Sequence, residues 1–341
     1  MKMLNWYLQS GKESDVVTST RVRIARNFAN FPFMPKCTKI DGKKIVEKME
    51  EIIPNLGYGL KLFQLKDMDD ITKMSLIEKH LISPDFALNR NDIGAILMNE
   101  EENICIMVNE EDHLRIQVLA PGLELENALN LALEIDQKIG QNITYAYSEK
   151  YGFLTSCPTN VGTGLRISNM FHLPALTLTS NIEKVLEVVN NFGMNIRGIY
   201  GEGSNTQGNM YQVSNKQSLG ITEEEILKNQ KIIAEKIMEQ ERLARKYLGK
   251  NEIDLADRVY RAYGILTNAQ KITSEECKRL LSDVKLGVDM GIIKEIDDTQ
   301  VNKLYLYTKQ ANLQKYVGKQ LDDYERDIER AKMIKQIIEN K

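Results

Sequence analysis

Apolar positions follow two different rhythms along this chain. In the first part they come as short runs separated by loops. Ile104-Cys105-Ile106-Met107-Val108 is a continuous apolar run of strand length, and after it Leu114, Ile116 and Val118 alternate with Arg115 and Gln117. The first pattern reads as a buried strand and the second as a half-buried one. The polar run Asn109-Glu110-Glu111-Asp112-His113 between them predicts a strand–turn–strand unit. Thr18–Ala25 predicts another strand, whose alternation puts Arg21 and Arg23 on one face and Val22 and Ile24 on the other.

The rhythm becomes helical from Thr222 onward. Thr222 and Glu225 form a capping box, and Ile226, Ile233, Ile237, Ala244 and Leu248 recur at helical spacing. Gly249 predicts the stop, and Lys250-Asn251 is the candidate boundary between a catalytic part, 1–249, and a helical part, 250–341. Within the latter, Asp254–Leu266, Ser274–Met290 (with Thr273 and Glu276 as a second capping box) and Lys319–Glu339 read as helices. All seven prolines fall at or before Pro174, so none interrupts them. The fold class is α+β, with a helical domain appended.

Composition narrows the function classes. A length of 341 residues suits two domains. With 45 basic and 48 acidic residues, the net charge of −3 gives no global attraction for nucleic acid or anionic membrane, so anion binding must come from local arginines. The four cysteines (Cys37, Cys105, Cys157, Cys277) form no CxxC pair, which argues against disulfides and zinc and suits a reducing cytosol. No apolar run reaches membrane-spanning length, and Met1–Asp15 has no apolar leader core, so a cytoplasmic protein is expected.

Four segments carry candidate chemistry. Cys157-Pro158-Thr159-Asn160-Val161-Gly162-Thr163-Gly164-Leu165-Arg166 sets a thiol, two glycines and a cation in one loop. It reads either as a Gly-rich turn with a buried cysteine or as an anion-approaching loop with a polarised thiol. Ser19-Thr20-Arg21-Val22-Arg23 is a solvated edge strand or half of a polyphosphate site, because arginine forks match phosphate oxygens. Asn109–Arg115 is an acidic hairpin turn or a carboxylate pair able to hold a guanidinium. The fourth is Arg197-Gly198-Ile199-Tyr200-Gly201-Glu202. There is no GxxxxGK[ST], no third glycine for a dinucleotide fingerprint (position 167 is Ile167), and no HRD or DFG set.

In this order, the four segments resemble the phosphagen (guanidino) kinases, which move phosphate between ATP and a guanidinium group. The resemblance implies a glutamine-synthetase-like catalytic domain, an antiparallel sheet flanked by helices. It implies that Arg21, Arg23, Arg115, Arg166 and Arg197 hold the ATP phosphates, with Mg2+ bound through the nucleotide rather than directly by protein. The nucleotide segments it suggests are Ser19–Arg23, His80, Arg166-Ile167-Ser168-Asn169-Met170 and Arg197–Glu202. Met170 departs from the animal enzymes, where a histidine is usual. Glu111 and Glu202 stand where the family binds the acceptor guanidinium, with Glu111 as base, Glu110 near the metal-bound waters and Cys157 beside the guanidinium. His113 and His172 read as structural.

Two departures set the subtype. Only 18 residues precede Ser19, which implies that the helical N-terminal domain of the arginine and creatine kinases is missing and that the site is open to a guanidinium carried on a protein. Arg326-Asp327-Ile328-Glu329-Arg330-Ala331 resembles the RDxxRA signature of the bacterial protein arginine kinases, whose allosteric pocket binds phosphoarginine there. Read from the residues, Arg326 and Arg330 are one helical turn apart and could clasp a phosphoryl group, with Asp327 meeting a guanidinium. An ordinary charged helix face with Asp322–Arg326 pairing is the other reading. The resemblance further implies protein substrates with exposed arginine, tagging for a Clp unfoldase–protease, control of a heat-shock repressor, a small zinc-binding activator protein, and a homodimer or higher assembly. A free-arginine phosphagen kinase and a non-catalytic phosphoarginine-binding adaptor are the competing expectations.

Overall fold

The computed structural model describes residues 5–89, 92–198 and 207–339. The chain runs β1 (Val17–Arg26), α1 (Lys39–Leu56), β2 (Lys61–Gln64), α2 (Asp70–Glu78), α3 (Pro84–Asn89), β3 (Ala95–Met98), β4 (Ile104–Val108) and β5 (Leu114–Pro121). Then come α4 (Leu125–Gly140), the short pair β6 (Tyr147–Ser148) and β7 (Gly152–Phe153), β8 (Leu165–His172), α5 (Pro174–Leu178), α6 (Ile182–Asn191), β9 (Met194–Gly198) and β10 (Met210–Asn215). The long α7 (Glu223–Leu248) leads into α8 (Glu252–Asn268), α9 (Ser274–Asp289), α10 (Asp298–Tyr307), α11 (Gln310–Val317) and α12 (Asp323–Glu339).

Eight strands form one antiparallel sheet in the order β2-β3-β4-β5-β1-β8-β10-β9. Because side chains alternate along each strand, the sheet has an apolar and a polar face. Val22, Ile24, Ile116, Val118 and Ile167 pack against Ile45, Met49, Leu129, Ala132 and Ile135 of α1 and α4. Phe171, Tyr211 and Val213 continue this layer under Ile233, Ala234 and Ile237 of α7. The other face carries the arginines and is partly covered by Trp6, α2 and α3. The helices after α7 pack around their own apolar cluster, including Val259, Leu281, Leu304, Leu313 and Ile334. Among the described residues no helix is long and apolar enough to cross a membrane.

The Thr222 capping box forms as expected, its oxygen accepting from the Glu225 amide. Gly249 closes α7 where expected, in the right-handed region (φ −64°). The segment read as one helix from Lys319 begins at Asp323. Gly318, left-handed at φ 78°, ends the separate helix α11 before it, and neither α10 nor α11 is among the helices that spacing predicts.

The helical part is stitched to the sheet by buried polar contacts. The Glu78 carboxylate accepts from the Ala311 and Asn312 amides at the start of α11 and from Asn312 Nδ2. Arg245 and Lys285 meet Asp289, whose carboxyl is pushed up to about 6 by burial, opposed by those two cations. His172 is buried there with Nε2 2.9 Å from Ser282 Oγ, and burial holds its pKa well below the ordinary value.

Candidate active site

Strand register assembles the arginine cluster. Arg23 lies opposite Arg166, Ala25 opposite Arg115, and Arg21 opposite Ser168, which in turn faces Ser214. Arg197 lies opposite Gln212, which faces Met170. Directly paired residues share a face, so guanidinium groups from β1, β5, β8 and β9 stand on one surface of the sheet. Neutral groups aim them. Arg21 donates to Ser168 Oγ (3.4 Å) and Gln212 Oε1 (3.0 Å), and Arg166 donates twice to Ser214 Oγ (3.3 and 3.1 Å).

The cluster is electrostatically strained. Burial, with Arg115 and Arg166 nearby, pushes the Arg21 guanidinium down to about 10. Arg23 is lowered well below its ordinary value by burial and by Arg21, Arg115 and Arg166, with Glu110 opposing. Arg166 is lowered by burial, then by Arg197 and Arg115. The buried Arg23 Nε has no hydrogen-bond partner among the described residues. Like charges held together with an orphaned donor fit an anionic ligand such as a polyphosphate.

The β4–β5 turn delivers the carboxylates. Asn109 adopts the left-handed region (φ 63°), and its Nδ2 donates to the Gly42 and Ile93 carbonyls. Arg115 then reaches back, with Nη1 at 2.9 Å from Glu110 Oε1 and Nη2 at 2.9 Å from Glu111 Oε2. Glu110 is buried and also accepts from Ser83 Oγ, whereas the Glu111 side chain is 42% exposed. Asp112 is buried and its carboxyl is raised by desolvation. Its Oδ1 accepts from Asn27 Nδ2 (2.7 Å) and from the Ser156 amide (2.6 Å), tying the acidic turn to the cysteine loop.

Cys157 is half-buried, its Sγ 3.1 Å from Thr159 Oγ1, and Asn160 Nδ2 reaches Glu111 Oε2 at 3.4 Å. Arg23, Glu111, Arg115, Cys157, Asn160 and Arg166 line one cavity. The loop glycines are needed for close backbone packing. Gly162, at φ 111°, would put a Cβ 2.1 Å from the Ser218 carbonyl oxygen, and Gly164, at φ 68°, would put one 2.6 Å from that of Ala25.

Other expected positions sort by face. Ser19, Arg21, Arg23, Arg166, Ser168 and Met170 share the arginine surface. Thr20, Val22, Ile167 and Asn169 point their side chains the other way. Val22 and Ile167 lie in the apolar core, Thr20 donates to the Gly122 carbonyl, and the Asn169 amide is engaged by Thr20 and Gln230. Ile199, Tyr200, Gly201 and Glu202 lie outside the described residues, and Gly198 ends β9. His113 is buried between the Phe28 amide and the Pro32 carbonyl.

Past Arg21 the cleft continues along Ser19, Met170 and His80, whose pKa is held well below its ordinary value by burial, then by Lys309 and Arg21. It widens there into a larger cavity that also touches α9, α10 and Lys309. The α12 motif lies apart. Arg330 is buried, donating to the carbonyls of Thr308 (2.9 Å) and Ile272 (2.8 Å) and pairing with Asp327 at 2.6 Å. Arg326 donates to the Leu321 carbonyl and pairs with Asp323, not Asp322. Ile328 and Glu329 are half-buried, and Ala331 lies in the core of the helical part. Arg326 and Arg330 therefore do not form an open clasp in this structure.

Residues 43–244 match the ATP:guanido phosphotransferase C-terminal catalytic domain, and residues 252–341 match the protein-arginine kinase McsB C-terminal domain. The chain is 47% identical over 334 residues to a protein-arginine kinase of Halothermothrix orenii, covering 97% of this chain and 95% of that one. The chain belongs to the protein-arginine kinases, within the ATP:guanido phosphotransferase family. A protein-arginine kinase of Clostridium tetani is 42% identical over 339 residues, 99% of each chain. One of Bacillus subtilis is 43% identical over 338 residues, 97% of this chain and 92% of that one.

Among solved structures, the duplicated taurocyamine kinase of Schistosoma mansoni with bound transition-state-analogue components superposes with a TM-score of 0.60 at 28% identity. The match covers 68% of this chain and 34% of that one. Lombricine kinase superposes with a TM-score of 0.59 at 22% identity over 71% of this chain and 69% of that one, a likeness of fold. For a guanido phosphotransferase, the residues that sequence reasoning missed are the neutral holders Gln212 and Ser214 and the tie Asp112–Ser156. Gln212 and Ser214 stand two apart in β10 and so share its face, but that spacing alone does not mark them as partners of Arg21 and Arg166.

Proposed function

We propose that this chain transfers the γ-phosphoryl group of ATP to arginine side chains of proteins, giving ADP and protein phosphoarginine. The observation that carries the reading is the meeting of Arg23, Arg115 and Arg166 with Glu111 and Cys157 in one cavity. ATP supplies the transferable phosphoryl group. Arg21, Arg23, Arg166 and Arg197 would hold its phosphates, and because Arg21 and Arg166 spend their hydrogen bonds on neutral serine and glutamine oxygens, their charge stays available. Mg2+ would be bound mainly through the phosphate oxygens of the nucleotide.

Glu111 is the acceptor's anchor and proton sink in this reading. An arginine guanidinium is protonated at neutral pH, so its nitrogen attacks only after a carboxylate has fixed the plane and taken a proton. The exposed Glu111 side chain can be reached from solvent, Asn160 Nδ2 donates to its Oε2, the Glu110 carboxylate accepts from its backbone amide, and Cys157 lines the same cavity. Glu202 would supply the second carboxylate by its place in the family motif.

Family membership supports the wider reading. The protein would be cytoplasmic, act on exposed arginines as marks for a Clp-type unfoldase–protease, control a heat-shock repressor, respond to a zinc-binding activator and self-associate. The α12 motif, from Arg326 to Ala331, would sense phosphoarginine, which for the inward-bonded Arg330 means exchanging carbonyl partners on binding. The deciding experiment offers radiolabelled ATP with either an unfolded protein or free arginine. Acid-labile label on the protein supports the reading. Efficient turnover of free arginine with none on protein would replace it with a phosphagen kinase, and ligand binding with no turnover would replace it with an adaptor.

A further inference from the structure

We infer that Arg26 is a positioning residue for phosphoryl transfer: its buried guanidinium clamps the two ends of the cysteine loop to the core and so fixes where Cys157 and Asn160 stand. This rests on the reading above that the loop flanks the acceptor, and it adds what holds the loop there.

Strand alternation separates Arg26 from the other arginines of β1. Arg21 and Arg23 stand on the polar face, whereas Arg26 follows Val22 and Ile24 onto the apolar face. There it is only 2% exposed. Burying a charged guanidinium is costly unless it is paired and hydrogen-bonded. Such a group holds its partners in place, because breaking a contact leaves a buried charge uncompensated.

Those partners are the two ends of one loop. Nη1 donates to the Thr163 carbonyl at 2.8 Å, where the loop runs into β8, and to the Ala25 carbonyl at 2.9 Å. The guanidinium carbon lies 3.5 Å from the centre of the Phe153 ring, where the loop begins. Nη2 donates to Asp136 Oδ2 of α4 at 2.7 Å. Tyr145 brings a second ring to 5.6 Å, and its hydroxyl donates to the Asp136 carbonyl. One cation, held between an aromatic face and a carboxylate, thus ties Phe153 and Thr163 to each other and to α4.

The backbone closes the same base. Phe153 and Gly162 exchange hydrogen bonds, each amide donating to the other's carbonyl, at 2.8 and 3.2 Å. A Cβ on Gly164 would lie 2.5 Å from Arg26 Nη1, so that glycine leaves the room the guanidinium needs. A shift of this base would be carried to Asn160, whose Nδ2 reaches Glu111 Oε2 at 3.4 Å, and to Arg166, which follows Thr163 in β8.

Arg26→Met combined with Asp136→Leu replaces the ion pair by apolar groups, a change often neutral or stabilising for folding, so the loop can be read apart from stability. The full-length double variant should keep its Tm within a few degrees of wild type. Its kcat on an unfolded protein should fall about 100-fold, the cost of a shift of about 1 Å near reacting groups, with KM for ATP nearly unchanged. Iodoacetamide labelling of Cys157, read by peptide mass spectrometry, should speed up relative to that of half-buried Cys37. Phe153→Leu removes only the stacked ring at a half-buried position, so it decides the matter where the double variant fails to fold. It should move kcat and the labelling ratio in the same directions by less, and Phe153→Tyr should match wild type. Wild-type kcat and labelling ratio in Phe153→Leu or in a folded double variant would overturn the inference. So would a fallen kcat with an unchanged ratio. The labelling is read without ATP, so it judges Arg26 even where the wild type transfers no phosphoryl group to protein, the result that would overturn the proposed function alone.

Discussion

Asp112 accepts the Ser156 amide at 2.6 Å, and through that bond the turn carrying Glu111 and the loop carrying Cys157 hold one geometry. Asp112→Ala should leave the Ser156 amide and Asn27 Nδ2 short of an acceptor and let the two loops drift apart. A displacement of about 1 Å near reacting groups costs on the order of 100-fold in rate. We expect kcat on a protein substrate to fall by about that factor, with ADP affinity by calorimetry nearly unchanged. A variant with wild-type kcat would show that the tie does not position the site.

Glu111→Gln keeps the side chain's shape but removes its charge and, with it, the proposed proton sink. Turnover should drop about 100- to 1000-fold, the usual loss for one well-placed electrostatic group. Arg115→Lys should also impair transfer, because a point charge cannot bond Glu110 and Glu111 with separate nitrogens in a fixed plane. Initial rates with labelled ATP check both variants.

Gly162→Ala meets the Ser218 carbonyl oxygen at 2.1 Å and a φ of 111°, whereas Gly193→Ala meets no atom within 4 Å at a φ of 73°. The second change should cost only the backbone strain, about 1–3 kcal/mol. The first should cost clearly more, so its Tm should be the lower of the two. Equal Tm values by scanning calorimetry would mean that the loop yields.

Asp289 predicts a signed pH effect. Burial raises its carboxyl from the ordinary 3.8 to about 6, so between those values the folded chain holds a proton that the unfolded chain has lost. The contribution to stability is fully present below about pH 4 and is lost as pH rises through 6, with a limiting slope of about 1.4 kcal/mol per pH unit. Asp289→Asn removes that slope and resembles the protonated carboxyl, so the two proteins should have similar urea midpoints at pH 4.5. At pH 6.5, where the wild type has lost the contribution, its midpoint should fall relative to that of the variant, and an unchanged difference between the two pH values would mean that Asp289 does not titrate in this window.

Arg330 and Arg326 should behave differently despite sharing one motif. Arg330→Ala would strand the Thr308 and Ile272 carbonyls and the Asp327 carboxylate, and removing one partner of a buried pair costs about 3–5 kcal/mol. Arg326→Ala should leave Tm within a few degrees of wild type, which makes it the usable variant for testing a response to phosphoarginine peptide.

Local periodicity makes the strand–turn–strand at 104–121, the shared face of Arg21 and Arg23 and the cap at Thr222 legible in the amino-acid order alone. The same alternation turns Ile167 and Asn169 away from the cleft, whereas the family motif treats 166–170 as one continuous run. Gln212 and Ser214 are not legible in this way, because their role depends on how β10 pairs with β8, and that register is set by tertiary packing. The inward direction of Arg330 depends on the ends of α10 and of the loop before α9, two boundaries that local sequence does not supply.

The contact of Arg115 with Glu111 has a consequence for the order of events. In the proposed reading one guanidinium already meets the carboxylate that would receive another, so the resting chain would carry a likeness of its own acceptor. Phosphate oxygens would compete for the same fork, and a nucleotide that draws Arg115 toward itself would uncover Glu111. Charging the site would then favour admission of the arginine, and a protein substrate arriving first would find one oxygen of its seat taken.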